Sequence, residues 1–237
     1  MKRNSVILNG VRSETISGLL IQELPPIIKP PMRNEVEEID GRDGSIVTRL
    51  GYAAYDREMI IGLYDNYDID RIIQYFNSSG EAIFSNEPDK VYQYQILDEI
   101  DFERLARFRV ASVTFYVQPF KRSATPEFYQ YLGGLAESLD VFNLGNVGSR
   151  PEITVMGQGV VTFALNGNNV LAVDFGSTTT VVTIDVEKMN AYSGGSYYNR
   201  KVAGDYNDLI LPVGKNTISW SGTYLGSMTV EKCSCWI

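Results

Sequence analysis

The sequence predicts a mainly β protein with one short helix, in two domains, the second a β-sandwich or jelly roll. Three observations carry this. The stretch from Asn143 to Gly167, NLGNVGSRPEITVMGQGVVTFALNG, is a glycine- and proline-punctuated seam followed by two strand-like runs. Residues 1–150 hold 16 of the 21 basic and 22 of the 29 acidic residues, whereas 14 of the 21 glycines lie from Gly133 onward, so a charge-rich half gives way to a turn-rich one. Arg107 to Val117 alternates cleanly, with Arg109, Ala111, Val113, Phe115 and Val117 on one face and Phe108, Val110, Ser112, Thr114 and Tyr116 on the other. The chain has 237 residues, enough for two cores, and the division falls at 1–135 and 136–237.

In the first domain, Ser5 to Leu8 leads through Asn9-Gly10 into Val11, a strand and tight turn, and Gly18 to Leu24 supplies a second apolar run. Pro25-Pro26 and Pro30-Pro31 bracket Ile27 to Lys29. Proline fixes φ and lacks a donor, so this segment is expected to be extended and outside any central ladder. Glu35 to Ile39 and Ser45 to Arg49 flank Gly41-Arg42-Asp43-Gly44, a hairpin tip that is either a solvated turn or a charged grip on a neighbouring subunit. Arg57 to Tyr64 reads as a strand. Ile69, Ile72, Ile73 and Phe76 then follow the spacing of a short amphipathic helix, with Asp65, Asp68 and Asp70 placed for capping rather than for calcium. Glu81 to Ser85 and Val91 to Leu97 return to β, and Leu97 to Phe108 supports either helix or strand.

In the second domain the strand candidates are Ile153 to Met156, Val160 to Leu165, Val170 to Phe175, Thr178 to Val186, Leu209 to Leu211, Asn216 to Trp220 and Ser227 to Cys235, with no helix-period segment between them. Ile153 to Val173 carries no charge over a membrane-span length, but glycines and amides interrupt it, so it reads as sandwich strands. Met1-Lys2-Arg3 is followed by too short an apolar run for a signal peptide, so the chain is expected to stay where it is made.

Composition narrows the chemistry. The net charge is −8 with scattered basic residues, which gives no footprint for nucleic acid or anionic lipid. There is no histidine, which removes the usual general base and the commonest metal ligand. Cys233 and Cys235, two positions apart on a strand, point their thiols in parallel; they form neither a disulfide nor a metal set and point to a reducing compartment. Neither a nucleophile elbow nor a phosphate-cradling loop is present. The acids Asp98, Glu99, Asp101 and Glu103 leave a two-carboxylate glycosidase as a third reading, and the 15 tyrosines suit core and interface better than sugar stacking.

The motifs in order carry a resemblance. The proline-rich extension, Gly41-Arg42-Asp43-Gly44, Tyr55-Asp56-Arg57-Glu58, Phe84 to Lys90 (FSNEPDK), Ile100 to Leu105 (IDFERL) and Phe115 with Gln118-Pro119-Phe120 are followed by Asn143 with Gly145, Ser149 to Thr154 (SRPEIT), Gly157-Gln158-Gly159 and Leu211 to Ile218 (LPVGKNTI). Together the series resembles the distal tail protein (Dit) family of siphophages. That resemblance implies a non-enzymatic virion protein at the distal end of the phage tail, made in the host cytoplasm and needing no cofactor or metal. It implies a homo-hexameric ring joining the tail tube protein to the tail-tip or tail-associated lysin protein, with receptor-binding or baseplate proteins as further partners, no membrane, and DNA passing through the channel without specific binding. It further implies a tail-tube-like β-sandwich or barrel as the N-terminal, ring-forming hub domain and a galectin-like β-sandwich as the C-terminal domain.

In such a ring, residues 25–57 are expected to serve as an inter-subunit arm, with Gly41, Arg42, Asp43, Gly44 and Arg57 as contact residues. Six copies would carry 6 × −8 = −48, a charge that repels DNA phosphates. The seam at Asn143 to Arg150 is expected to act as the joint from which the sandwich hangs. Galectin-type sugar sites use a histidine that this chain lacks, so carbohydrate binding as an accessory tail protein is the alternative reading.

Overall fold

The computed structural model describes residues 3–237; Met1 and Lys2, at the start of the segment read for a signal peptide, lie outside them. The chain divides into two compact units, one running to Ala124 and the other Thr125–Trp236, with Ile237 counted in the first. No helix among the described residues is long and apolar enough to cross a membrane.

In the first unit seven strands follow one another in the order Val11–Arg12, Val6–Leu8, Ser79–Phe84, Lys90–Gln95, Val110–Val117, Tyr55–Leu63 and Leu19–Glu23. Every pairing along this path is antiparallel. The sheet curls: the Asn4 side chain, at one end of the path, donates to Gln22 O at the other, 2.8 Å away. Alternation in Val110–Val117 puts Ala111, Val113, Phe115 and Val117 into the core, where Phe115 meets Phe84 and Tyr94 edge to face. Each fully buried side chain of this size contributes about 1.5–3 kcal/mol.

The expected helix is Ile69–Phe76, which buries Ile72, Tyr75 and Phe76 and is capped by Asp68, whose carboxylate accepts from Arg71 N at 3.2 Å. A second helix, Phe102–Phe108, resolves the ambiguous stretch. Asp101 caps it at 2.7 Å, and it buries only Leu105, too little apolar pattern to reveal itself in sequence.

The second unit is built on two long strands, Glu152–Leu165 and Gly214–Lys232, each of which the sequence presents as two short ones. They pair antiparallel along their length, with register shifts at Met156/Gly157 and between Gln158 and Val161. On one side of the shift, Glu152–Leu165 also pairs with Thr180–Asp185; on the other it pairs with Asn168–Asp174. Both halves bury alternate residues, Ile153 and Val155 before the shift and Val161, Phe163 and Leu165 after it, in a single cluster with Val173, Ile184, Ile218 and Val230. One sheet therefore bends over its own core. Gly222 makes the bend possible: its φ is +141°, and a Cβ there would lie 2.2 Å from Val160 O.

The domain boundary drawn at 135/136 falls inside this second unit. Glu127–Tyr131 is a strand of it, paired from Glu127↔Lys232 to Tyr131↔Met228, a partner a hundred residues away that no local pattern announces. The seam is not a joint either. Asn143 is buried and its side chain donates to Val147 O and Leu211 O at 2.8 and 3.0 Å, while Ser149 and Leu211 exchange two backbone hydrogen bonds.

Gly222→Ala is expected to destabilise the second unit by at least about 1–3 kcal/mol, from strain at positive φ with the contact to Val160 O added. Urea unfolding followed by Trp220 fluorescence measures it. Gly167→Asn, at a left-handed turn with open space around it, is expected to stay close to wild type.

Candidate functional site

Among the described residues no group of acidic or cysteine side chains is placed to hold a metal ion. Of the carboxylates considered for glycoside hydrolysis, Asp101 is occupied as a helix cap, and Asp98, Glu99 and Glu103 stand in solvent. Trp220 packs on Tyr131 at 4.7 Å against the core.

What stands out is a segment exposed along nearly all of its length. Met32–Glu38 and Ser45–Tyr52 form a two-stranded antiparallel sheet of their own, separate from the other sheets. From Arg33 to Gly51 every residue is exposed, including Val36 (58%), Val47 (53%) and Leu50 (53%). Val36 and Val47 face each other across the strands, while Glu35 and Glu37 pair with Thr48 and Ile46 on the opposite face. At the tip Gly41 and Gly44 both take φ +81°, and Arg42 N donates to Ile39 O at 3.1 Å, which closes the turn. Arg42 and Asp43 project into solvent there.

The root of this arm is held as firmly as its tip is free. Arg57 is 1% exposed. Its Nη2 donates to Pro25 O at 3.2 Å and Pro26 O at 2.9 Å, and Asn86 Nδ2 adds a bond to Pro25 O at 2.9 Å. The guanidinium lies 4.4 Å from the Tyr92 ring centre and 5.1 Å from that of Phe84, with Nη1 3.8 Å from Glu87 Oε2. Glu87 in turn accepts from Lys121 Nζ at 2.6 Å and from the Tyr92 hydroxyl. Burial, and then the bond to the Glu87 carboxylate, push the Tyr92 phenol well above its usual range. Farther out, Ala53 N donates to Pro31 O at 2.8 Å, and Tyr52 packs edge to face on Phe120 at 5.8 Å.

The structure thus brings Gly41, Arg42, Asp43 and Gly44 together at one exposed tip but corrects the role assigned to Arg57. That side chain is not presented to a neighbour; it is enclosed in its own unit, clamping the prolines from which the arm departs. The signal that sequence reasoning missed lies in Asn86, Glu87 and Lys121, ordinary polar residues whose convergence depends on the pairing of Lys121–Ser123 with Lys90–Gln95.

No family model matches the chain, and no curated protein matches it in sequence. Its fold does match solved structures over the full length. The Dit protein of phage SPP1, described as a paradigm of the hub adsorption apparatus in phages infecting Gram-positive hosts, superposes with a TM-score of 0.76 at 16% identity, covering 100% of both chains. The chain has the Dit fold. A chain of the phage P2 baseplate in its activated conformation is a more distant match, with a TM-score of 0.52 at 11% identity over 98% of each. The match covers the residues of both units.

Arg57→Leu is expected to destabilise the first unit by about 3–5 kcal/mol, because Glu87 and the proline carbonyls lose a buried partner. Limited proteolysis between Pro25 and Pro31 is expected to be faster in the variant than in the wild type. A second expectation concerns alkaline pH. The folded pKa of Tyr92 lies above that of the unfolded chain, so its contribution to stability is complete below about pH 10 and declines above it. Tyr92→Phe should flatten that decline in denaturation curves taken between pH 9 and 11.

Proposed function

We propose that the chain is a non-enzymatic hub at the distal end of a phage tail, assembling as a six-membered ring that joins the tail tube to the baseplate or tail-tip protein and leaves a channel for DNA. The observation that carries this reading is the unpartnered arm. An isolated two-stranded hairpin is marginally stable in water, and this one exposes apolar side chains on both faces, so it calls for a covering surface. The clamp at its root fixes where it leaves the unit, and the four prolines lower the entropy lost when it is ordered against a partner.

A neighbouring copy is a natural cover. Contact between an arm and a different surface on the next copy repeats head to tail, and such contacts make a ring when the rotation between copies closes. The Dit fold supports the same reading, since the SPP1 protein of that fold is a hub. The acidic charge of the chain suits a passage through which DNA phosphates must travel without being held, and Gly41, Arg42, Asp43 and Gly44 are the arm's leading contact residues.

Sedimentation and negative-stain imaging over a concentration series test this. The wild type is expected to give a six-fold ring with a central hole. Replacing residues 33–51 by a short Gly-Ser turn should leave a monomer with an unchanged melting temperature. A monomer at every concentration that instead binds host wall polysaccharide would favour the carbohydrate-binding accessory role.

A further inference from the structure

An arm that needs a cover directs attention to surfaces of the first unit with complementary chemistry. The Phe102–Phe108 helix carries one. Arg104, Arg107 and Phe108 stand at i, i+3 and i+4, on one face of the helix, and line a cleft of about 630 Å³ with Asp101, Glu103 and Val110. Phe108 is 65% exposed, a large apolar ring left in water. Neither the Arg104 nor the Arg107 guanidinium has a hydrogen bond or ion pair among the described residues, and Asp101 is turned to the helix N-terminus as its cap. On a chain of net charge −8 this is an unpaired basic face.

The arm offers the complement. Glu35 and Glu37 project from one face with Ile46 and Thr48 beside them on the facing strand, and neither carboxylate has a partner among the described residues. Two residues apart on a strand, the glutamates stand roughly 6.6–6.8 Å from each other. The arginine Cβ atoms, at i and i+3, stand about 5–6 Å apart, a mismatch well within the reach of long side chains.

We propose that the Glu35–Glu37–Ile46 face of one copy's arm docks on the Arg104–Arg107–Phe108 face of the next copy. This rests on the ring reading above and names the surface the arm takes. Two ion pairs flank an apolar contact between Ile46 and Phe108, which excludes water from them and fixes the register. Because donor and acceptor are different parts of one unit, each copy gives an arm and receives one.

Charge reversal tests the pairing. One variant carries Arg104→Glu and Arg107→Glu, the other Glu35→Lys and Glu37→Lys; matching melting temperatures and circular dichroism establish that both fold. Each alone is expected to need at least about tenfold more protein than wild type for half-assembly, since every arm then meets like charge. Mixed in equal amounts, they should recover rings in which the two variants alternate, because each interface is again complementary. Variants that assemble as readily as wild type, or that stay apart on mixing while wild type forms rings, overturn this acceptor and leave the ring reading standing. A wild type that stays monomeric throughout overturns both.

Discussion

A buried guanidinium under a proline turn is the interaction on which the arm depends. Arg57 holds the carbonyls of Pro25 and Pro26, and these prolines, which lack an N–H, cannot donate to a ladder that would fix them. A charge so placed must be compensated: Glu87 lies 3.8 Å from Nη1, and the rings of Tyr92 and Phe84 stack against the cation. Desolvated cation–π contacts are worth about 2 kcal/mol or more, which matters here because Nε and Nη1 make no hydrogen bond. The clamp thus separates two mechanical regimes within a few residues. Before it the chain is core; beyond it the chain is an exposed ribbon.

The second unit solves a different problem. A flat sheet leaves one apolar face in water, and this unit covers that face by bending the sheet instead of adding a second one. Two strands of 14 and 19 residues run through the bend, so the two layers share backbone and cannot separate without breaking it. A buried ion pair closes one edge: Lys232, fully enclosed, meets Glu127 and the Ser234 hydroxyl, with the Tyr129 ring 5.7 Å away. Removing either charge alone would strand the other, which makes the pair a lock on the pairing of Glu127–Tyr131 with the last long strand.

Apart from Arg57 Nε and Nη1, the buried side-chain polar atoms among the described residues have hydrogen-bond partners. Asn143 braces Val147 and Leu211, Ser149 reaches Cys233 O, and Asp68 and Asp101 cap helices. Unpaired charges lie at the surface, among them Glu35 and Glu37 on the arm and Arg104 and Arg107 on the second helix.

The sequence by itself determined the local elements: the alternation of Val110–Val117, the capped helix Ile69–Phe76, the hairpin around Gly41 to Gly44, and the change from charge-rich to glycine-rich chain. These follow from periodicity and turn chemistry, which act over a few residues. Tertiary structure decided what depends on distant partners. It joined Ile153 to Met156 with Val160 to Leu165 into one strand, because a glycine inside a ladder reads as a break in sequence but permits a bend in space. It moved the domain boundary to Thr125, because Glu127–Tyr131 gains its identity only from Met228–Lys232. And it turned Arg57 inward, because one arginine in a strand carries no sign of which carbonyls it will reach.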